Sequence, residues 1–278
     1  MNVKIGVASL SLGTGFPGVM YGLMKKHLRP GHGFTECSMV LEKTPEHVRS
    51  RLLALLETSP RPKAVVGICL RPDPATLAAY RAAGVPLVLI DEEVEGATTV
   101  ASDNFAGGLL AARHLALAGR RSIAVVSGMM HLDGGYNATE RVKGFRKGLA
   151  ESGLTLPPEL VIEVMNYSRK DGMDAMAKLL DEHRKLEAVF CAAGDVCATG
   201  MLSTARARGV LVPQQLALLG YDDNPLAATS EPPLSTLRQP LEQIASEVYH
   251  LATVETAAIL QRPRKVLFDP TLITRSST

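Results

Sequence analysis

The sequence predicts an α/β protein built from two doubly wound parallel sheets. Three observations support this prediction. Short apolar runs alternate with helix-like segments from one end of the chain to the other. The 278 residues are enough for two lobes of ordinary size. Aromatic residues make up only 4% of the chain and tryptophan is absent, so the core must consist of aliphatic side chains, as in parallel sheets covered by helices.

Eight apolar runs are predicted to be strands buried on both faces, because they are short, continuous and rich in leucine or β-branched residues. They are residues 5–10, 37–41, 64–69, 86–90, 122–126, 160–164, 188–192 and 216–219. Helix starts are also visible. Thr44 and Asp73 each precede a proline, which is the pattern of a capping residue followed by proline in the first turn.

The bulk properties exclude several classes of protein. Charged residues make up 21% of the chain and the net charge is +2, which does not suit a protein that coats nucleic acid or a membrane surface. The four cysteines are too scattered for a disulfide framework. The N-terminal residues do not resemble a signal peptide, and no apolar run is long enough for a membrane span. We therefore predict a cytoplasmic protein with no membrane partner.

Residues 13–18 match the pattern G-x-G-x-x-G between a predicted strand and a predicted helix. In a dinucleotide-binding protein, Gly13, Gly15 and Gly18 would let backbone N–H groups approach a pyrophosphate, and Glu42 could bind a ribose. The alternative is a loop in which Pro17 starts the helix. An NAD(P)-dependent enzyme is therefore kept as an alternative function, while we predict that no cofactor binds this loop.

Other catalytic and metal-binding patterns are missing from the sequence. It contains no G-x-S-x-G, no H-E-x-x-H and no G-K-[ST]. Cys191 and Cys197 are spaced wrongly for a zinc knuckle, so we interpret them as buried structural thiols. We predict no catalytic residues, no metal site and no cofactor, and thus a protein that is not an enzyme.

A series of segments in the second half of the chain carries a more specific signal. The segments are ATERVKGF at 138–145, VFCAAGD at 189–195, LGYDD at 219–223, PPLST at 232–236, QP at 239–240 and LITRSST at 272–278. In this order and spacing they resemble the effector-binding domain of the LacI/GalR family of transcriptional regulators. Earlier segments agree, and the resemblance covers the chain from about residue 64 to its end.

The resemblance implies a type I periplasmic-binding-protein fold, with two lobes, three crossovers and a small ligand in the cleft between the lobes. By this analogy the N-terminal lobe is residues 1–102 plus 239–266, and the C-terminal lobe is residues 103–238 plus 267–278. Family members bind operator DNA through an N-terminal helix-turn-helix domain. The first predicted strand begins at Val3, so that domain is expected to be absent from this chain. The resemblance also implies a homodimer. The helix faces at Leu52–Leu53 with Leu55–Leu56, or at Met201–Leu202, could supply contacts, although core packing explains these clusters equally well.

Arg141 and Asp222 are the principal predicted ligand contacts. The helix dipole disfavours an arginine near the start of a helix, and a guanidinium that binds a ligand would explain one at position 141. Asp222 follows a predicted strand, and the carboxyl ends of parallel strands are where such sheets bind ligands. The family has a ligand-contacting arginine and an acidic contact at the matching positions. Asp223 and Asp103 are expected to cap backbone N–H groups instead.

The resemblance adds further candidates. Tyr167 lies where the family has an aromatic residue that stacks on the ligand, and Phe16 matches an aromatic residue at the mouth of the cleft. Met129 begins a segment, residues 129–137, that could cover the cleft. Asp195 is a candidate contact or a helix cap. Gly194 departs from the asparagine common in the family, which argues against an ordinary hexose as the ligand.

The sequence thus predicts the sensor domain of a LacI-type regulator that binds a small metabolite, sugar-like or otherwise polar. A sugar-binding protein of a transport or chemotaxis system is the nearest alternative, because it shares the fold.

Overall fold

The computed structural model describes residues 3–39, 44–130 and 135–278. The chain divides into two compact units. The first consists of Met1–Ser102 and Pro240–Phe268, and the second of Asp103–Gln239 and Asp269–Thr278. The chain therefore passes from one unit to the other three times. Among the described residues, no helix is both long enough and apolar enough to cross a membrane.

Strands and helices alternate along most of the chain. In the first pass through the first unit they are β1 (Val3–Ser9), α1 (Gly15–Lys26), β2 (His32–Ser38), α2 (Pro45–Leu56), β3 (Ala64–Ile68), α3 (Pro74–Ala82), β4 (Leu87–Ile90) and β5 (Thr98–Ser102). In the second unit they are α4 (Asn104–Leu117), β6 (Ile123–Gly128), α5 (Tyr136–Glu151), β7 (Val161–Val164), α6 (Arg169–Glu182), β8 (Ala188–Cys191), α7 (Asp195–Ala207), β9 (Ala217–Tyr221), α8 (Pro225–Thr229) and β10 (Ser235–Arg238). The chain then forms α9 (Leu241–Thr253), α10 (Thr256–Gln261), β11 (Lys265–Phe268) and β12 (Thr271–Ile273).

Each unit contains one six-stranded sheet. The strand order is β11-β5-β4-β3-β1-β2 in the first unit and β12-β10-β9-β8-β6-β7 in the second. All neighbouring strands are parallel, except that β12 runs antiparallel to β10. The predicted fold class, two doubly wound parallel sheets, is confirmed.

The helix starts that the sequence indicated are present. The Thr44 hydroxyl accepts a hydrogen bond from the His47 N–H, and the Asp73 carboxylate accepts one from the Thr76 N–H at 2.6 Å. Asp103 caps α4 in the same way, as predicted, by accepting from the Ala106 N–H at 2.8 Å. These side chains satisfy N–H groups that the first turn of each helix leaves without a partner.

The apolar clusters proposed as dimer contacts are core residues instead. Leu52, Leu55 and Met201 are 0%, 3% and 0% exposed, and they pack inside their own units. Helices α2 and α7 thus bury these faces against their own sheets. The sequence left dimer contacts and core packing open as explanations, because helical spacing alone does not distinguish a core face from an interface. For these residues the structure shows core packing.

Two pairs of helices in the second unit cross at glycines. A Cβ atom at Gly144 of α5 would lie 1.9 Å from the Phe105 carbonyl oxygen of α4, and one at Gly108 would lie 1.9 Å from the Arg141 carbonyl oxygen. Helices α6 and α7 cross in the same manner at Gly172 and Gly200. Because only glycine permits such an approach of two backbones, these crossings fix where α5 and α7 lie.

Candidate functional site

Five of the six predicted ligand-binding residues lie at the carboxyl edge of the second sheet. Strands β9, β8, β6 and β7 are consecutive in that sheet and end at this edge. The residues in the segments that follow them are Met129, Tyr167, Asp195 and Asp222. Arg141 reaches the same edge from α5, because it donates a hydrogen bond to the Ala192 carbonyl just after β8.

Arg141 is buried, and its partners include two hydrogen-bond acceptors and an aromatic ring. Its Nε donates to Asn104 Oδ1 at 2.8 Å and its Nη1 donates to the Ala192 carbonyl oxygen at 2.8 Å. The guanidinium carbon lies 3.6 Å from the centre of the Tyr221 ring. Only 6% of the residue is exposed. A buried guanidinium with this geometry is rigid, since the fork and the ring face together fix its plane.

The position of Arg141 in its helix differs from the prediction. Helix α5 begins at Tyr136, so Arg141 lies in its second turn and not at its N-terminus. The helix dipole acts mainly within the first turn, so it does not explain this arginine. The polar partners and the aromatic ring at the sheet edge do. Asn104 and Tyr221 were not predicted as site residues, because neither has a local pattern that shows its contact with Arg141.

Asp222 follows β9 in a left-handed conformation with φ of +105°. Its N–H donates to the Leu237 carbonyl at 2.7 Å, and its Oδ1 accepts from Gln239 Nε2 at 2.7 Å. Its Oδ2 would lie 2.7 Å from a Cβ atom at position 194. Gly194, itself at φ +100°, therefore leaves the space that the Asp222 carboxylate occupies. This gives the unusual glycine a physical reason.

Asp223 does not cap backbone N–H groups, contrary to the prediction. Its carboxylate accepts hydrogen bonds from Arg238 Nε and Arg275 Nη2, both at 2.6 Å. Burial opposes the ionisation of this group, but the bonds from Arg275 and Arg238 outweigh it and hold the pKa of Asp223 below its ordinary value. Asp223 therefore ties the end of β9 to β10 and to the C-terminal segment.

Asp195 is the first residue of α7 and is 1% exposed. It does not cap that helix. Its Oδ1 accepts a hydrogen bond from Thr236 Oγ1 and its Oδ2 accepts one from the Asn224 N–H, each at 2.8 Å. Burial, followed by the nearby charge of Asp222, raises the pKa of Asp195 to about 8. Both oxygens are thus engaged by the protein beneath the surface of the edge.

Met129 and Tyr167 follow β6 and β7, which are neighbouring strands at one side of the edge. Tyr167 is 40% exposed and has a left-handed backbone with φ of +54°. Its hydroxyl lies over Gly128, where a Cβ atom would be 1.9 Å from the oxygen. Met129 follows Gly128 directly and is half-buried. His131, within the predicted covering segment 129–137, lies outside the described residues.

The glycine pattern and Phe16 belong to the first unit. Helix α1 begins at Gly15, which has φ of +61°, and not at Pro17 as predicted. Phe16 is half-buried and packs against the core of this unit. Glu42, the candidate ribose ligand, lies outside the described residues. No group of three or more potential metal ligands occurs in the part of the chain that the structure describes.

Comparisons with known proteins agree with the geometry. Residues 112–278 match the periplasmic binding protein-like domain family. The HTH-type transcriptional regulator DegA of Bacillus subtilis is 32% identical over 196 residues, which are 70% of this chain and 56% of DegA. The transcriptional repressor PurR of Escherichia coli is 31% identical over 211 residues, which are 74% of this chain and 60% of PurR. The chain thus spans less than two thirds of these relatives.

The fold is also found in solved structures. A complex of the transcriptional regulator CelR with cellobiose is 25% identical, with a TM-score of 0.82, and the match covers 100% of this chain and 85% of CelR. A LacI family transcriptional regulator from Silicibacter pomeroyi is 23% identical, also with a TM-score of 0.82, and shows the same fold.

The chain belongs to the family of periplasmic-binding-protein-like domains. Within that class it is an effector-binding domain of the LacI/GalR type, so the resemblance drawn from the motifs is confirmed. The relatives are transcriptional regulators, and regulators of this family are not enzymes. The NAD(P)-dependent enzyme and the transport protein are therefore not favoured.

Proposed function

We propose that this chain is the ligand-sensing part of a LacI-type transcriptional regulator and binds a small polar effector at the carboxyl edge of the second sheet. Operator DNA would be bound by a separate N-terminal domain of the full-length protein. The observation that supports the proposal is that Arg141 and Asp222 both lie at the carboxyl edge of the second sheet. A guanidinium and a carboxylate there provide a donor fork and a pure acceptor.

The remaining predicted residues suit an effector with both polar and apolar surfaces. The Tyr167 ring is large enough to stack on a sugar or a heterocycle, and Met129 could adapt to its outline. Phe16 remains a predicted contact from the first unit. The CelR complex holds cellobiose, which supports a sugar-like effector. The donor fork and the acceptor suit an amine or a purine-like ring equally well.

Thermal unfolding in the presence of cellobiose, ribose, adenine and NADH tests the proposal. A compound that binds only the folded state raises apparent stability by RT ln(1 + [L]/Kd). We expect a sugar or adenine, and not NADH, to raise Tm. Asp222→Asn keeps the shape of the side chain but removes its charge, and should weaken the binding of that compound by about 2–5 kcal/mol. Asp181→Asn, at an exposed ion pair with Arg208, is the matched control and should bind normally.

The assignment of the site to this edge would be contradicted if none of the four compounds stabilised the wild-type protein. It would also be contradicted if Asp222→Asn bound the stabilising compound with wild-type affinity. Stabilisation by NADH alone, lost in Gly15→Val, would favour the enzyme alternative. Native mass spectrometry of the purified protein extends the test to a ligand that remains bound during purification, which should dissociate from Asp222→Asn.

We further propose a homodimer, which is typical of this family. A surface cavity of about 250 Å³ in the second unit is lined by residues of α6, α7 and α8, including Arg206 and Leu226. Leu226 is 47% exposed, and a second copy of the chain would cover it. Leu226→Asp should shift sedimentation at micromolar concentration towards the monomer. Leu117→Asp, on α4 at a residue 88% exposed, should leave the dimer unchanged, and a wild-type monomer would contradict the proposal.

A further inference from the structure

The turn that follows β9 has an unfavourable backbone. Asp222 and Asp223 are consecutive non-glycine residues with positive φ, +105° and +54°. Residues with side chains rarely adopt such angles, and they persist only where the surrounding structure holds them. The direction of the Asp222 carboxylate depends on this turn, so whatever holds the turn also sets the direction of the proposed ligand contact.

The Asp195 carboxylate is connected to two N–H groups of this turn, to one directly and to the other through Thr236. Its Oδ2 accepts the Asn224 N–H at 2.8 Å, directly after the two left-handed residues. Its Oδ1 accepts from Thr236 Oγ1 at 2.8 Å, and Thr236 Oγ1 in turn accepts the Asp223 N–H at 3.4 Å. One buried side chain therefore links two successive N–H groups of the turn to β10.

Strand β9 makes room for this carboxylate at Gly220. A Cβ atom on Gly220 would lie 2.1 Å from Asp195 Oδ1, which no side chain could tolerate without displacing the carboxylate. Residue 220 lies just before Tyr221, whose ring supports Arg141. The small residue in the strand and the acid at the start of α7 thus form one packed arrangement.

We propose that Asp195 is a positioning residue, which holds the left-handed turn at Asp222 and Asp223 and so aims the Asp222 carboxylate at the effector. It acts through Asp222 and does not touch the effector itself. The part of this inference that concerns effector binding rests on the proposed function. The part that concerns how Asp195 holds the turn does not.

The charges around Asp195 agree with this role. The pKa of Asp195 is raised to about 8, first by burial and then by the Asp222 charge, so near neutral pH the buried acid adds little repulsion to Asp222. The arginines at this end of the unit are engaged elsewhere, since two of them bind Asp223 and Arg141 binds the Ala192 carbonyl. The titratable and charged groups near Asp195 are Asp222 and Asp223 after β9, Cys191 at the end of β8, and Cys197 in α7 beside Cys191.

The first test needs no effector. Amide hydrogen exchange at Asn224, followed by NMR, should accelerate about 100-fold in Asp195→Ala, because the N–H loses its buried acceptor. Asp195→Asn keeps an acceptor and should retain slow exchange. In the wild type, the chemical shift of the Asn224 amide proton should titrate with a midpoint of about 8, and this transition should vanish in Asp195→Asn. Unchanged exchange in Asp195→Ala would overturn the inference.

A glycine substitution repeats the test without touching the acid. Gly220→Ala should displace the Asp195 carboxylate and accelerate exchange at Asn224 as Asp195→Ala does. Gly33→Ala is the matched strand control, because a Cβ atom there has no neighbour within 4 Å. Slow exchange at Asn224 in folded Gly220→Ala would contradict the packing on which the inference depends.

The second test uses whichever of cellobiose, ribose or adenine raises Tm. Asp195→Ala should weaken its binding about as much as Asp222→Ala, and the double variant should be no worse than Asp222→Ala alone, because both changes remove one contact. Additive losses would overturn the inference even if the exchange data agree. If Asp222→Ala alone has no effect on binding, the proposed function fails, and the exchange test still decides whether Asp195 holds the turn.

Discussion

Gly144→Ala should destabilise the second unit by about 3 kcal/mol or more, one of the largest effects expected from a single methyl group. The added Cβ atom would lie 1.9 Å from the Phe105 carbonyl oxygen, and the nearest atoms are all backbone. A backbone carbonyl cannot rotate away as a side chain can, so α4 and α5 would have to separate. Their contact is the most extensive between any two of the described helices. Urea denaturation followed by circular dichroism measures the loss.

Gly22→Ala provides the matched control for this prediction. Gly22 lies inside α1, and a Cβ atom there has no neighbour within 4 Å. Alanine favours a helix over glycine by about 1 kcal/mol, so this variant should be slightly more stable than the wild type. Equal stability of Gly144→Ala and the wild type would contradict the close approach of α4 and α5 at this glycine.

The same crossing connects the fold to the proposed site. A Cβ atom at Gly108 would lie 1.9 Å from the carbonyl oxygen of Arg141 itself. Asn104, which accepts from Arg141 Nε, is the first residue of α4. The close approach of α4 to α5 therefore places the guanidinium and its acceptor at a fixed separation, and a change at the glycines would alter the site as well as the stability.

The interior strands that consist almost entirely of apolar residues could be predicted from the sequence, because their composition indicates that they are buried. Every residue of β3, β4 and β8 is buried, and each strand reads as a continuous apolar run. Strands β5 and β10 were missed, although both are largely buried, because they contain threonine and serine. The edge strands β11 and β12 are short and partly exposed, so pairing with a neighbour, and not composition, makes them strands.

Strand β2 illustrates the same limit. It runs from His32 to Ser38, whereas the apolar run predicted a strand at 37–41, of which residues 40 and 41 lie outside the described residues. The first half of β2 was not predicted, because its polar residues interrupt the apolar pattern. Parallel pairing with β1 along its whole length, from Val3 opposite His32 to Ser9 opposite Ser38, supplies the hydrogen bonds that define it.

The candidate site was predictable where it follows from strand ends, and not where it depends on packing. Asp222 directly follows a strand and could be placed at the sheet edge by that rule alone. The Tyr221 ring, the Gln239 amide and the space left by Gly194 have no such local rule, because each matters through a contact with a residue distant in the sequence. They do lie within the segments that carried the family resemblance.

Arg141→Lys should separate the structural role of this side chain from its proposed role in binding. Lysine keeps the positive charge but lacks the planar fork, so it cannot bind Asn104 Oδ1 and the Ala192 carbonyl together while covering the Tyr221 ring. One buried acceptor would lose its donor, which costs about 1–3 kcal/mol of stability. Arg141→Ala should lose more stability, because both buried acceptors then lose the donor that Arg141 supplies and the Tyr221 ring loses the guanidinium that covers it.

If the guanidinium also contacts the effector, Arg141→Lys should reduce the affinity for the effector in addition to the free energy of unfolding. We expect the compound that stabilises the wild type to bind at least about 10-fold more weakly, at a temperature where the variant is fully folded. Arg146→Lys is the matched control, because Arg146 lies in the same helix and is exposed. It should change neither the affinity nor the stability noticeably, since lysine can still reach the Leu156 carbonyl that Arg146 Nη1 contacts. A stable Arg141→Lys variant with wild-type affinity would contradict both roles, because a lysine ammonium would then replace the rigid fork without loss.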